Sequence, residues 1–349
     1  MPARQGLLPA AGKGAMDDRR LKLPPILGFI LAGGRVGELS VLTLSRPKAA
    51  VPYGGIYRII DFALSNLIQA GIARIGVLPQ YLPASLIEHV GVGETWDLIG
   101  PGRGAKILPP HLGPGLSRWY QGNADAVRQN LDFVADHDPE LVLIISGDHV
   151  YNMDYRRLIQ FHLDRDADLT AVFRPMGTQT DPRYGYGVLD DQGRLTDYKE
   201  KPRTAPTDLA SLTIYLFRRS VLETVLGDTS SGELEFGRHV IPRMLNRFKM
   251  YGYVFDDYWA YCRTPSMYYR ANFDILRGLV DPEAWGLRTN LYDQGLGKTP
   301  PARISAGGRV DDSLVSDGCD IAGSVERSLL GPGVRVAAGA HVTHSIIWH

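Results

Sequence analysis

The chain has 349 residues, with 38 Lys and Arg against 38 Asp and Glu, two Cys and 44% hydrophobic residues. That charge balance argues against a partner read through its phosphate backbone. Cys262 and Cys319 alone can build neither a disulfide framework nor a thiolate zinc cage, and no apolar window reaches the roughly eighteen residues a membrane-spanning helix needs. The expectation is a two-domain cytoplasmic protein, with neither nucleic acid nor membrane among its partners.

Residues 1–25 mix Pro, Gly and charged residues without an apolar stretch and read as a disordered leader, not a secretory signal. From Pro25 onward, short β-rich runs alternate with amphipathic stretches. Strands are predicted over 26–31, 74–78, 141–145 and 168–173, and helices over 63–70, 84–90, 124–135 and 155–164. This alternation predicts a doubly wound α/β domain. Residues 185–217 change to short runs separated by turn residues, which predicts antiparallel strands added to the sheet. Helices over 236–246 and 265–276, with a strand over 250–255, close a Rossmann-like mixed-sheet domain spanning 26–285.

A Gly-, Pro- and Asn-rich linker is expected at 286–303. Beyond it, Val315, Ile321, Leu330, Val336, Val342 and Ile347 recur near six-residue spacing among small polar residues. That is the signature of a hexapeptide-repeat, left-handed parallel β-helix over 304–349. Two to three coils would present an end face that needs another chain or segment to cover it.

The chemistry-bearing segments begin with Leu31-Ala32-Gly33-Gly34-Arg35, which follows a strand. Its glycines let backbone N–H groups approach an anion such as a nucleotide phosphate, although such a turn can equally be a tight connection. Further along come Arg46-Pro47-Lys48, Tyr57 to Asn66, Trp119 to Ala126, Ser146-Gly147-Asp148-His149, Tyr198 to Pro202, Ala210 to Tyr215, Glu235-Phe236-Gly237 and Tyr258-Trp259. Asp148 ends a buried β run at the sheet edge where α/β proteins bind ligands. A carboxylate there can hold Mg²⁺ on phosphate oxygens, or simply start the following turn.

In order and spacing these blocks resemble the sugar-phosphate nucleotidyltransferases, and among them the glucose-1-phosphate adenylyltransferases, from about Gly28 to the end of the chain. The resemblance implies formation of ADP-glucose and pyrophosphate from ATP and glucose 1-phosphate, with Mg²⁺ as cofactor, a homotetrameric assembly and a place in glycogen or α-glucan synthesis. It assigns catalysis to Asp148, Lys48 and Arg35, with Asp148 also the metal ligand. It places Leu31, Ala32, Gly33, Gly34, Gln80, Gly122 and Asp125 at the nucleotide, and Tyr120, Gly187, Glu200, Lys201, Ser211, Glu235 and Trp259 at the sugar phosphate. Asp125 reads as readily as a residue that orders the loop before a helix.

Two positions depart from the family pattern. Glu38 stands where an arginine normally reaches the triphosphate, and a carboxylate beside phosphates is repulsive unless it turns away or holds a metal. Tyr261 stands where a second metal-binding Asp is expected, and a neutral phenol is a poor ligand for a hard cation. Three expectations follow: an active enzyme of a divergent subgroup, an enzyme using another nucleotide or sugar phosphate, or a weakly active regulatory subunit.

Overall fold

The computed structural model describes residues 23–34, 37–111, 119–177, 180–227, 234–292 and 299–348. Its main sheet is organised around β1 (Ile26–Ala32), an apolar run buried almost throughout, as a central parallel strand must be. In chain order there follow β2 (Arg74–Pro79), β3 (Gly104–Ile107), β4 (Leu141–Ser146), β5 (Leu169–Pro175), β6 (Gly185–Leu189), β7 (Leu195–Glu200), β8 (Leu209–Arg218) and β9 (Met250–Val254). Strands β2 and β4 flank β1 in parallel, and β3 extends the sheet beyond β2. On the other side β8 runs antiparallel to β4 and pairs with both β5 and the β6–β7 hairpin. It can serve both because its register shifts between Ser211 and Tyr215, where Thr213 takes a φ of 54°. Such a bulge re-aims side chains at a sheet's functional edge.

The helices explain two differences from the expected pattern. The run expected as one helix over 124–135 is two, Asn123–Arg128 and Leu131–His137. Asn130 interrupts it, its amide donating to the Ala126 carbonyl and the Tyr120 hydroxyl, so that its side chain competes with the helical backbone. The run expected over 236–246 is a π turn, Phe236–Val240, followed by Ile241–Met244. Pro242 contributes no N–H to that segment, which leaves the regular α ladder incomplete. By contrast Pro265–Leu276 starts as its sequence dictates, Thr264 capping the Met267 N–H with proline in the first turn. Strand β3 and helix Arg219–Gly227 were not anticipated.

The first part of the expected linker packs onto the α/β domain. Gln69 donates to the Trp285 carbonyl, the Arg288 N–H to Ser65 and Asn290 to the His89 carbonyl. Nine short strands then form three parallel three-stranded faces, giving three coils of a β-helix. Ile321, Val325, Leu330 and Val336 fill its narrow core. Ser313, Ser328 and Ser345 stack at one corner, each hydroxyl bonding a backbone carbonyl and the first two accepting the next coil's N–H. The β-helix touches the α/β domain through Trp348 on the Tyr268 hydroxyl and Tyr269 on the His344 carbonyl. No helix among the described residues is long and apolar enough to cross a membrane.

Candidate active site

The carboxyl ends of β1, β2 and β4 converge on one edge, and the sequence places a different chemistry at each. Beyond β1, Leu31 and Ala32 lie in register with Leu78 and Pro79, and the chain opens into Gly33 and Gly34. A side chain at Gly33 would press on Gln80, whereas Gly34 faces open space. Gln80 follows β2, and its Oε1 is buried without a partner. Arg35 lies outside the described residues.

Asp148 follows β4. Lys48 donates to its Oδ2 at 2.7 Å, Ser146 donates to its Oδ1 at 2.5 Å, and His149 Nε2 lies 3.3 Å from Oδ1. Burial would raise the carboxyl's pKa, but Lys48, His149 and the two hydrogen bonds hold it well below the usual carboxylate range. Lys48 is 2% exposed, and burial pulls its ammonium down while Asp148 opposes that. The same ammonium lies 3.8 Å above the Tyr261 ring, a cation–π contact in a desolvated setting. Burial lowers His149 to about 4, so it is neutral at pH 7. It is flanked edge-on by Trp259 and Tyr261, and its Nδ1 has no partner.

The second wall comes from the antiparallel part of the sheet. One cavity is lined by Glu200, Lys201, Ser211, Tyr215 and Glu235, and it reaches Ser146 and His149 beside Asp148. Glu200 accepts from the Tyr198 hydroxyl at 3.1 Å. A Cβ at Gly185 would meet the Tyr198 hydroxyl and one at Gly237 the Glu200 carboxylate, so the two glycines leave room for those side chains. Lys201 sits at the turn after β7 with a φ of 48° and its Nζ 3.5 Å from Glu200. A left-handed non-glycine residue at such a place is typical of a side chain held for function. The bulge in β8 turns Ser211 and Thr213 into the same cavity.

Other expected site residues occupy supporting positions. Gly122 leaves space for the Leu234 carbonyl, which accepts from the Ala124 N–H, while the Asn123 side chain accepts from Phe236. These contacts fix Glu235 against the start of the Asn123 helix. Asp125 is buried and satisfied by the Gln121 N–H, Gln129 and Arg128, so its oxygens order the loop. The Tyr120 hydroxyl donates to the Leu108 carbonyl and accepts from Asn130. Gly187 lies inside the sheet, its α-carbon against Phe173 and Leu195, and Gly185 takes the cavity position instead. Trp259 pairs with Tyr151 in a two-stranded antiparallel ribbon of His149–Tyr151 and Trp259–Tyr261, and keeps a buried, unpartnered Nε1.

The structure adds Arg183, Tyr184 and Arg263 to the cavity wall. Arg183 is closed on Asp181 through its Nε–H and Nη2–H groups. Arg263 donates its Nε to Glu38 at 3.0 Å and stands beside the Tyr261 phenol. The two departures from the expected pattern are thus joined by one guanidinium. Its sequence signal was slight, no more than its place two residues beyond Tyr261.

Both parts of the chain are similar to known proteins. The family described as nucleotidyl transferase matches residues 27–278, and a GlmU-like C-terminal hexapeptide family matches residues 300–349. A glucose-1-phosphate adenylyltransferase of Fervidobacterium nodosum is 40% identical over 330 residues, covering 92% of this chain and 78% of the relative. That of Thermotoga maritima is 42% identical, covering 90% and 76%, and that of Clostridium acetobutylicum 37% identical, covering 91% and 84%.

Proposed function

Because this chain belongs to the nucleotidyl transferase family, and within it to the glucose-1-phosphate adenylyltransferases, we propose that it joins ATP to α-D-glucose 1-phosphate, releasing pyrophosphate and forming ADP-glucose for α-glucan synthesis. The observation that carries this reading is the single cavity in which Glu200, Lys201, Ser211 and Glu235 adjoin Ser146 and His149, the neighbours of Asp148. A sugar phosphate held there has its phosphate facing the Lys48–Asp148 pair.

In the reaction a phosphate oxygen of glucose 1-phosphate bonds to the α-phosphorus of ATP as the bond to the bridging oxygen breaks and pyrophosphate leaves. No protein nucleophile is needed, so the residues act by positioning and by neutralising charge. Lys201 holds the sugar's phosphate, and Glu200, Ser211 and Glu235 accept from or donate to sugar hydroxyls. Lys48 supplies positive charge at the reacting phosphorus, and its buried setting strengthens that effect. Gly33 and Gly34 let the triphosphate approach the backbone, while the free Gln80 Oε1 suits an exocyclic amine of the base.

Asp148 is one carboxylate, Tyr261 is a neutral phenol pushed up by burial, and no group of three or more His, Cys, Asp or Glu among the described residues could hold a metal. Asp148 would hold Mg²⁺ through one carboxylate oxygen, which suits an ion that takes its remaining ligands from water and substrate phosphates. When bound, Mg²⁺ supplies neutralisation of the phosphate oxygens. We further propose that the protein acts as a cytoplasmic homotetramer, for which sedimentation velocity is the direct check.

The test is pyrophosphate release from ATP and glucose 1-phosphate with Mg²⁺, run beside UTP, dTTP and GTP and with D148A. Turnover that prefers ATP and is lost in D148A sustains the proposal. Silence with every nucleotide, in a chain that folds and assembles, replaces it with a regulatory subunit.

A further inference from the structure

Glu38 poses a problem for the reaction proposed above, since it places a carboxylate in the loop that meets phosphates. The ion pair with Arg263 resolves it. The pair spans 225 positions of sequence and joins the loop after β1 to the end of the ribbon strand Trp259–Tyr261. Arg263 is anchored on Glu38 through Nε and stands beside the Tyr261 phenol, and its side chain is only 26% exposed. Its guanidinium lines the cavity that also contains Lys201, Glu200 and His149.

We propose that Arg263 is a phosphate-binding residue of the reacting site and that Glu38 positions it. Two other cations near the site are tightly engaged, while Lys201 lies 3.5 Å from Glu200 and faces the same cavity. Lys48 is paired with Asp148 at 2.7 Å and Arg183 is closed on Asp181. A guanidinium presents five N–H donors in a planar fork, so the Nε bond to Glu38 leaves donors on both terminal nitrogens with phosphate geometry. Glu38 thereby turns from a repulsive neighbour into the group that aims a cation. An exposed ion pair serving structure alone would add little stability, so the two roles give different results when the pair is broken.

The inference rests on the reaction proposed above, so its test needs a readout independent of turnover. Steady-state kinetics with ATP and glucose 1-phosphate, calorimetric titration with inorganic tripolyphosphate and with glucose 1-phosphate, and thermal unfolding are compared for wild type, R263Q, R263K and E38Q. R263Q should raise KM for one substrate by about tenfold or more and weaken binding of the matching probe equally. A change confined to ATP and tripolyphosphate assigns Arg263 to the triphosphate, and one confined to glucose 1-phosphate assigns it to the sugar's phosphate. R263K should recover part of the loss, because it restores charge without the fork, and E38Q should give a smaller change in the same direction. Unfolding temperatures should stay together. Unchanged KM values and unchanged probe binding in a folded R263Q would overturn the proposal, as would a wild type that binds neither probe. If wild type makes no product yet binds a probe through Arg263, the reaction has failed and the phosphate site stands.

Discussion

The two walls of the site are built from different material. On the side proposed for the nucleotide the working parts are mainly backbone and open space, Gly33 against Gln80 and Gly34 unobstructed, with one side-chain oxygen, Gln80 Oε1, left without a partner. On the side proposed for the sugar phosphate they are charged and hydroxyl side chains that already have partners, Glu200 on Tyr198 and Lys201 on Glu200, with Arg263 on Glu38 in the same cavity wall. A wall of backbone is harmed by adding atoms and a wall of side chains by removing them. Where the two meet stands Asp148, engaged by Lys48, Ser146 and His149 at once.

The largest effect is therefore expected at the junction. D148N removes the negative charge that holds Lys48 in place and the carboxylate proposed for Mg²⁺. A fall of about a thousandfold or more in kcat/KM is expected, as for loss of a preorganised electrostatic group. Steady-state assays with both substrates check it, with circular dichroism to confirm folding. A loss confined to KM for one substrate would place Asp148 on one wall only.

Next come two substitutions that set the walls against each other. K201Q deletes a charge on the side-chain wall and should raise KM for glucose 1-phosphate by about thirtyfold, leaving KM for ATP nearly unchanged. Gly34→Val adds a branched side chain on the backbone wall and should do the reverse. If either change moved both KM values together, the two walls would be a single binding surface.

How much of this was legible in the sequence follows from how each feature is encoded. Asp148 was visible because the apolar run Leu141 to Ile145 fixes a buried strand and thereby the edge where the next polar residues emerge. The β-helix was visible because each short strand must place an aliphatic such as Ile321 or Val336 into the same narrow core. Gly187 was assigned to the sugar, but two residues along a strand carry the chain from Glu200 to the Phe173 packing layer, and Gly185 is the one that faces the cavity. The Glu38–Arg263 pair was out of reach, since nothing in local periodicity couples positions 225 residues apart. Each residue read alone looked like a defect or a surface charge.

A pH effect of intermediate size separates the junction from the scaffold. Burial lowers both His149 and His162 to about 4, and His162 is held by Thr170 away from the site. Between pH 6.5 and 4 the unfolded chain takes up protons that these native imidazoles do not, so stability falls as pH falls, by up to about 3 kcal/mol per imidazole. Urea unfolding across this range should show that loss, and H162Q should remove its own share without changing the pH dependence of catalysis. A wild-type stability that is flat from pH 7 to 4 would contradict the burial of both rings.

The smallest effect tests the one side chain set into the backbone wall. Gln80 Oε1 is buried with no partner, which costs the free protein roughly 1 kcal/mol or somewhat more. An apolar replacement of similar size, Q80L, removes that cost together with whatever the oxygen was kept for. The variant should unfold at equal or slightly higher temperature while KM for ATP rises about fivefold and KM for glucose 1-phosphate stays put. The two changes should be opposite in sign because one oxygen, unpaired until a base arrives, causes both. A Q80L protein that is less stable, with unchanged KM for ATP, would make Gln80 an ordinary packing residue and leave the nucleotide wall to the glycines alone.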